Sequence, residues 1–581
     1  MLNLRKSLVE RLELPVLGTP SITFHIPRFS TCQIIDFCWP SFLLVHLSSW
    51  LLVHFTPLPQ SNSRPYRLLS SRSTPQSMRS IMFVAALLLC CVVDCHAGIP
   101  RKAKIYPHQL VDHHASSSST PYFGREFQQR YYDYTSHFAG PGNPIFLILG
   151  GEGAIEEETG IFYPFIVDLA ESFGAYVLEP EHRFYGTSQP LSAAEIEKVR
   201  KKGKPDPRVK LLNPDQALRD AIRLTKFVAS RLRCSRDRFS KHYCPIITVG
   251  GSYPGFLSAM ARAHFPDFVD MAYAASAPMG FYAQQVAPDA YYNHITVVAE
   301  RAYPGCAKNV KSALMDFVAH SNMNTTAVGI CDGTLPDYIQ DSETFVDEVL
   351  MMVGYTFCNA NMGYYPPSNN TRLYRACETF SSYEEPLVKL RAFLVDSLPP
   401  YNNTECFNMT EQLPSGPMAT ISSGDWSGVG TGQSGESWDF QTCSSLVEAI
   451  GFGGNSMFPR RSWNLEWLIG HCQSRFGVTP EPHALVDEWK FGNLTDLGAS
   501  RIIFTNGLND GWSVSGIQQN LSESLIAINF PNGAHHSDLS GVYAPENDTP
   551  DIVAGYTQVR SVLATWLSDM PHHRNTTWAT T

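Results

Sequence analysis

The chain has 581 residues, 44 Lys+Arg against 54 Asp+Glu, a formal net charge of -10 and 44% hydrophobic content. With 17% charged residues and no dense Lys/Arg run, it is neither a disordered chain nor one whose main partner is nucleic acid. Collagen, coiled-coil and polytopic membrane architectures are excluded as well, and the apolar content suffices for one large core or two ordinary ones.

The first 97 residues read differently from the other 484. Residues 1–77 are rich in Ser, Pro, Leu and Arg and lack sustained periodicity, so no fold is expected there. They read as upstream sequence or a removed extension, with translation beginning at Met78 or Met82; the rival reading is an unusual anchor. From Met78-Arg79-Ser80 the chain enters thirteen mostly apolar residues, Ile81 to Val93, followed by Asp94-Cys95-His96-Ala97-Gly98. That is the layout of a secretory signal (78–97) cut after Ala97, and the apolar run is too short to cross a bilayer. A secreted or lysosomal protein with no stable membrane anchor is expected. Residues 1–97 hold eight Lys/Arg and four Asp/Glu, so the remainder carries a net charge of -14.

Two counts support that route. Eight Asn-x-Ser/Thr sequons follow the signal, at Asn324, Asn369, Asn402, Asn408, Asn493, Asn520, Asn547 and Asn575. Nine of the 14 cysteines also follow it, without the Cys-x-x-Cys spacing of zinc sites. In a secreted chain they imply four disulfides and one odd thiol, with several buried free cysteines as the bland alternative.

Between Pro144 and Pro278 short apolar runs alternate with helical stretches. Ile145 to Leu149, Ala175 to Leu178 and Ile246 to Val249 read as buried strands; Gln216 to Leu232 has amphipathic spacing, with Asp215 placed to cap its start. This is the βαβ rhythm of a parallel sheet. Gly150-Gly151-Glu152-Gly153 follows the first of these strands, but the Gly-Lys-Ser/Thr that closes a phosphate loop is absent, so nucleotide binding is rejected and no cofactor is expected.

The run Thr248-Val249-Gly250-Gly251-Ser252-Tyr253-Pro254-Gly255-Phe256 lies between a short strand and a helix continuing through Leu257 to Ala261. A serine on such a turn projects from the sheet edge, and the helix N-terminus favours developing negative charge. It reads as a nucleophile elbow, against the plainer reading of a Gly-rich connection. The usual pattern has glycine two residues after the serine, where this chain has Pro254; proline in a first helical turn needs no backbone donor.

From about Met279 to Glu488 helical patterns dominate. The stretch holds seven of the nine cysteines and four of the eight sequons, which suits a crosslinked helical cap. Ser422 to Ser437 reads as a mobile loop. Two strands return late, Ile502 to Phe504 and Leu525 to Ile528, before a final helix from Asp551 to Leu567. After them come Thr505-Asn506-Gly507-Leu508-Asn509-Asp510-Gly511-Trp512 and Asn532-Gly533-Ala534-His535-His536-Ser537-Asp538. The chain order Ser, Asp, His, each following a strand, is that of an α/β-hydrolase. Ser252, His535 and Asp510 can serve as nucleophile, base and orienting acid. The plainer readings are a turn-forming Asp and a surface or metal-binding His pair; no His-Glu-x-x-His helix stands near, and no metal is expected. Oxyanion donors would be the backbone NH of Tyr253 and, from the early Gly-rich loop, of Gly151 and Glu152.

Pro144 to Gly153, Glu181-His182-Arg183-Phe184-Tyr185-Gly186, Gly250-Gly251-Ser252-Tyr253, Trp438-Asp439-Phe440-Gln441-Thr442-Cys443, Asn506-Gly507 to Asp510 and Gly533-Ala534-His535-His536 resemble, in order, motifs of the prolyl carboxypeptidase, dipeptidyl peptidase II and thymus-specific serine protease family. The resemblance spans roughly Tyr122 to Ser568. It implies an α/β-hydrolase fold with an inserted, mainly helical lid before the acid, and Ser252, Asp510 and His535 as the triad. The domains are then 98–280 and 490–581 for the hydrolase core and 281–489 for the lid. It also implies removal of residues beside proline, so the expected partners are small proline-containing peptides; a homodimer is left open. Trp512 and Phe256 are candidates for lining an apolar proline pocket, with core packing as the alternative, and Glu181-His182-Arg183 is expected to form a structural polar network. The chain departs from the family pattern at Pro254, at Gly511 and at Ser444-Ser445. Competing functions are an α/β-hydrolase esterase and a secreted glycoprotein that has lost catalysis.

Overall fold

Apolar runs bounded by Gly, Pro and Asn form a mixed sheet whose two faces are both covered, as parallel strands require. The computed structural model describes residues 102–571 apart from 158–159, 162, 204, 399–404, 413–431 and 540–544. The N-terminal extension, the signal segment, Asn402 and Asn575 lie outside the described residues.

Eight strands, β1 (Lys104–Leu110), β2 (Glu126–Tyr134), β3 (Ile145–Ile148), β4 (Tyr176–Pro180), β5 (Ile246–Gly251), β6 (Met271–Ala275), β7 (Ile502–Gly507) and β8 (Leu525–Phe530), form one sheet in the order 1-2-4-3-5-6-7-8. β2 is antiparallel to both of its neighbours; from β4 onward every pair is parallel. That order, with its antiparallel second strand, is the α/β-hydrolase fold.

Alternation along the strands divides the core. Ile145 and Leu147 face one side, where α2 (Pro214–Arg231) and α3 (Tyr253–His264) pack through Leu218, Leu224, Leu257 and Met260. Phe146 and Ile148 face the other, covered by α1 (Pro164–Phe173) and the final helix (Pro550–Ser568) through Phe165, Leu169, Val559 and Leu563. The α2 helix is capped by Asn213, whose side chain accepts the Gln216 NH at 3.0 Å, while Asp215 sits inside the first turn. The expected Asp215 cap is therefore corrected: Pro214 takes the first helical position and the cap is Asn213, two residues earlier.

The insertion between β6 and β7 supplies α4 (Ala290–Ala302), α5 (Cys306–His320), α6 (Ser342–Met362), α7 (Arg372–Ser381) and α8 (Pro386–Ser397), which share their own apolar core. Cys306–Cys377 and Cys331–Cys406 crosslink it, Cys443–Cys472 joins the helix Gly432–Thr442 to Leu465–Phe476, and Cys234–Cys244 lies in the sheet part. Among the described residues Cys358, buried on α6, is the cysteine outside these disulfides, and its sulfur meets the Tyr291 hydroxyl at 2.9 Å. The predicted loop Ser422 to Ser437 is corrected in its second half, because residues from Gly432 onward are helical and Ser437 is buried against the carbonyl of Phe184.

Candidate active site

The nucleophile candidate sits where β5 meets α3. Ser252 has φ 64° and ψ -132°, a conformation that a residue with a side chain holds only where its surroundings enforce it. Its NH donates to the carbonyl of Ala275 on β6 at 2.9 Å, and its carbonyl takes the NH groups of Gly255 and Phe256. Pro254 occupies the first helical turn, where no backbone donor is required. The close approach to β6 falls to Gly255, where a Cβ would lie 2.6 Å from the Ala275 carbonyl oxygen. This is why glycine stands one residue later than in the usual elbow.

After β7 the chain turns so that Asp510 caps the short helix Gly511–Ser515 and accepts the Trp512 NH at 3.0 Å. After β8 it delivers His535, whose Nδ1 lies 2.6 Å from Asp510 Oδ2; the Asp510 side chain is fully buried. With Nδ1 held as the donor, Nε2 is the ring atom left to accept a proton. His536 packs against Gly251, where a Cβ would come within 2.7 Å of its ring, and its centroid is 4.5 Å from that of His535. His536, the chain neighbour of His535, thus stands against the residue before Ser252. Burial, and after it the neighbouring His535, hold the His536 imidazole well below its ordinary pKa, so the second ring stays neutral. A hydroxyl on an enforced turn and an imidazole oriented by a buried carboxylate are the parts of a nucleophilic hydrolase.

The lid braces this geometry. Asn361, fully buried near the end of α6, donates from Nδ2 to the Asn509 carbonyl and accepts the Gly511 NH at Oδ1, each at 2.8 Å. The next residue, Met362, accepts the His535 NH at 3.2 Å. On α4, His294 meets the Leu508 carbonyl at 3.0 Å and Arg301 pairs with the Asn509 side chain. Gly511 is required here because a Cβ would lie 2.8 Å from the Tyr291 ring of α4, so the lid fills the space that a larger residue would need. Asn361→Leu keeps the number and branching of heavy atoms, though not the volume, and removes both bonds. It is expected to lower kcat by about 100-fold, the scale of a misplaced reacting group, with KM little changed. Steady-state kinetics and a melting curve check this, and a variant that melts normally at full kcat would show that the brace is idle.

All three residues of Glu181-His182-Arg183 make buried polar contacts, and two of them, Glu181 and His182, touch the loop after β3 and Tyr253. Glu181 accepts Arg130 at 2.5 Å, Ser188 Oγ at 2.7 Å and the NH of Ile155 at 3.0 Å, which ties down the loop that follows β3. Arg183, fully buried, holds Asp220 through two bonds of 2.6 Å and the carbonyls of Val111 and Leu211. His182 donates from Nδ1 to the Arg183 carbonyl and accepts the Tyr253 hydroxyl at Nε2, 3.1 Å away. Desolvation holds its pKa down to about 4, in keeping with a neutral acceptor. Gln441 Nε2 donates to the same Tyr253 oxygen at 3.2 Å, and Tyr185 donates to Gln441 Oε1 at 2.6 Å. The side chain after the nucleophile is therefore locked by the sheet and by the helix Gly432–Thr442. Its NH belongs to a first turn whose donors have no acceptor within the helix.

The two pocket candidates part ways. Trp512 is 5% exposed and packs between Phe281, Tyr291 and His535, with its ring centroid 6.3 Å from that of His535. Phe256 is 0% exposed and packs against Tyr282, Trp489 and Phe491. As a pocket wall it is corrected to a core residue: four positions along α3 from Ser252 it points back into the helix–sheet layer. Among the described residues one His/Cys/Asp trio, Asp439, Cys443 and His471, lies close enough to hold an ion. The Cys443 sulfur is in a disulfide, however, and Asp439 is taken by His471 and Arg475, each at 2.9 Å. Of the sequons, Asn324, Asn369, Asn493, Asn520 and Asn547 are exposed and Asn408 is half-buried.

The profile of the family described as Serine carboxypeptidase S28 matches residues 109–559. The chain belongs to the S28 family. S28 relatives include the lysosomal Pro-X carboxypeptidase of Mus musculus, 27% identical over 461 residues that cover 76% of this chain and 85% of the relative. The thymus-specific serine protease of Mus musculus is 26% identical, covering 77% and 85%, and prolyl carboxy peptidase like protein 5 of Caenorhabditis elegans is 26% identical, covering 76% and 87%. Membership makes this chain a serine-type peptidase. Within that S28 frame, sequence reasoning did not find Asn361, the Gln441–Tyr253 contact or Tyr163, whose hydroxyl accepts the Gly251 NH at 3.2 Å. Their only signal is polarity inside apolar helical or loop sequence, and their partners lie between 88 and 188 positions away.

Proposed function

We propose that this serine peptidase is an exopeptidase that cuts peptides beside proline through an acyl-enzyme. Ser252 attacks the scissile carbonyl, His535 takes its proton and returns it to the leaving amine, and Asp510 fixes and stabilises the imidazole. The NH of Tyr253, with Gly151 or Glu152 from the loop after β3, receives the developing oxyanion. The observation that carries this reading is the 2.6 Å His535–Asp510 pair standing beside the enforced turn at Ser252.

Proline is compact and has no backbone NH, so an apolar wall without a paired acceptor suits it, and Trp512 beside His535 supplies such a surface. The names of the lysosomal Pro-X carboxypeptidase relatives support both the residue class and a vesicular or secreted location, as do the four disulfides. The test is a fluorophosphonate label followed by Xaa-Pro and Pro-Xaa reporter peptides. Labelling at Ser252 with turnover of at least one proline reporter is expected. Turnover of short acyl esters alone would point to an esterase, and a folded protein unlabelled at Ser252 would be a binding glycoprotein.

A further inference from the structure

A basic surface stands at the sheet edge away from Ser252. From Lys226 to His242 the chain carries six Lys/Arg and one Asp, although the residues after the signal segment have a net charge of -14. The stretch begins in the last turns of α2 and ends just before β5, closed into a loop by Cys234–Cys244. Inside the loop the Ser235 NH donates to the His242 carbonyl at 2.7 Å, and Asp237 Oδ1 accepts the Phe239 NH at 3.0 Å. Arg238 faces the protein: it pairs with Asp270 at 3.1 Å and donates to the Pro266 carbonyl at 2.6 Å. Phe239, the next residue, points the other way. It is 79% exposed, the most exposed large apolar side chain among the described residues. Arg236 and Lys241 are exposed near it in the same loop and make no ion pair among the described residues. The mixture of cations and rings continues beside the loop, where Lys226 lies 5.3 Å over the half-buried ring of Phe268. The exposed acid here is Asp267, since Asp237 caps the loop backbone and Asp270 is buried.

We propose that this loop docks reversibly on an anionic lipid surface, with Phe239 inserted among the headgroups and the surrounding cations held against lipid phosphates. An apolar ring gains by leaving water, and exposed Lys and Arg gain beside a negatively charged leaflet, so the two act together. The disulfide and the bonds within the loop form its shape in advance, so little chain entropy is lost on contact. A sulfated glycan would use the same cations but has no apolar interior for the ring, and Phe239 therefore selects the lipid. The contact is one of surface, because among the described residues no helix is long and apolar enough to cross a membrane. Its place on the sheet suits an enzyme. Cys244 stands just before β5 and Ser252 directly after it, and six strand residues at about 3.3 Å each put the two about 20 Å apart. Asp510 and His535 likewise follow the ends of β7 and β8, so a docked molecule keeps that edge turned to water.

The test is sedimentation of the full-length protein with vesicles of phosphatidylcholine alone and with vesicles that also contain phosphatidylglycerol. Binding to the anionic vesicles only is expected, and it should weaken as salt is raised, because exposed cations are screened. Phe239→Ser should lower the affinity by about 20-fold, the scale of one large apolar side chain left in water. Arg236→Gln together with Lys241→Gln should lower it by about 25-fold, roughly fivefold for each cation. Phe239→Trp, whose ring sits well at a lipid surface, should keep the affinity of the wild type. All three side chains are exposed, so the variants should melt as the wild type does. No sedimentation with either vesicle, equal binding to neutral and anionic vesicles, or an affinity that Phe239→Ser leaves unchanged would overturn the proposal. Retention on heparin without vesicle binding would assign the cations to a sulfated glycan and overturn it as well.

Discussion

Ser252→Ala is expected to lower kcat/KM on a proline reporter by about 10⁶-fold, the scale seen when a triad serine is removed. The loss has one cause: without the hydroxyl there is no nucleophile for His535 to activate, while the oxyanion donors remain and leave a residual rate above water. The fold should be indifferent to the change. Ser252 is half-buried, its backbone bonds to Ala275, Gly255 and Phe256 do not involve the side chain, and alanine has the same Cβ at φ 64°. Kinetics and fluorophosphonate labelling of a variant with an unaltered melting curve make the measurement. Residual labelling at another serine would move the nucleophile elsewhere.

The Asp510→Asn protein should be nearly as impaired, with kcat down by about 10⁴-fold. The amide is isosteric, and its oxygen can still accept the Trp512 NH, so the cap of the short helix survives. What fails is the bond to His535. In place of the buried carboxylate at 2.6 Å an NH₂ group can face Nδ1, and the ring then adopts the tautomer with its proton on Nε2. A base already protonated at the working nitrogen cannot take the serine proton. Asn361, Asn509 and Gly511 hold the backbone of this turn independently of the carboxylate, so the expected drop is in rate and not in stability. A variant that keeps more than about a tenth of the wild-type rate would show that another group orients His535.

The strand predictions succeeded where residues are β-branched or large and failed where they are small or polar. Ile145 to Leu149, Ile246 to Val249 and Ile502 to Phe504 lie within or overlap observed central strands. β6 was missed because Met-Ala-Tyr-Ala-Ala has the composition of a helix; it becomes a strand because its small side chains let α3 pack closely at the nucleophile turn. β1 and β2 were missed because the first has a proline and no clean alternation, and the second, paired between β1 and β4, buries Gln129 and Arg130. Both polar residues are satisfied only by distant partners, Gln109 and Glu181, which local pattern cannot register.

The placement of Ser252 at a strand-to-helix turn, and of Asp510 and His535 in loops after later strands, was legible from sequence because each depends on a local device: a tight turn, a loop after a strand, and the chain order that a parallel sheet imposes. A β5–α3 elbow forms from its own few residues, and strands carry the other two to the same sheet edge. The bracing of that edge was decided only by tertiary structure. Asn361 lies 148 positions from Asn509, Gln441 lies 188 from Tyr253, and Phe256 turns inward solely because the layer behind it is built by Tyr282, Trp489 and Phe491. Periodicity reports which face of an element is apolar, not which distant polar group completes a hydrogen bond. The Oε2 atom of Glu152, buried with no hydrogen-bond partner among the described residues, is the extreme case, since a carboxyl group in a Gly-rich loop looks solvated until the folded chain encloses it.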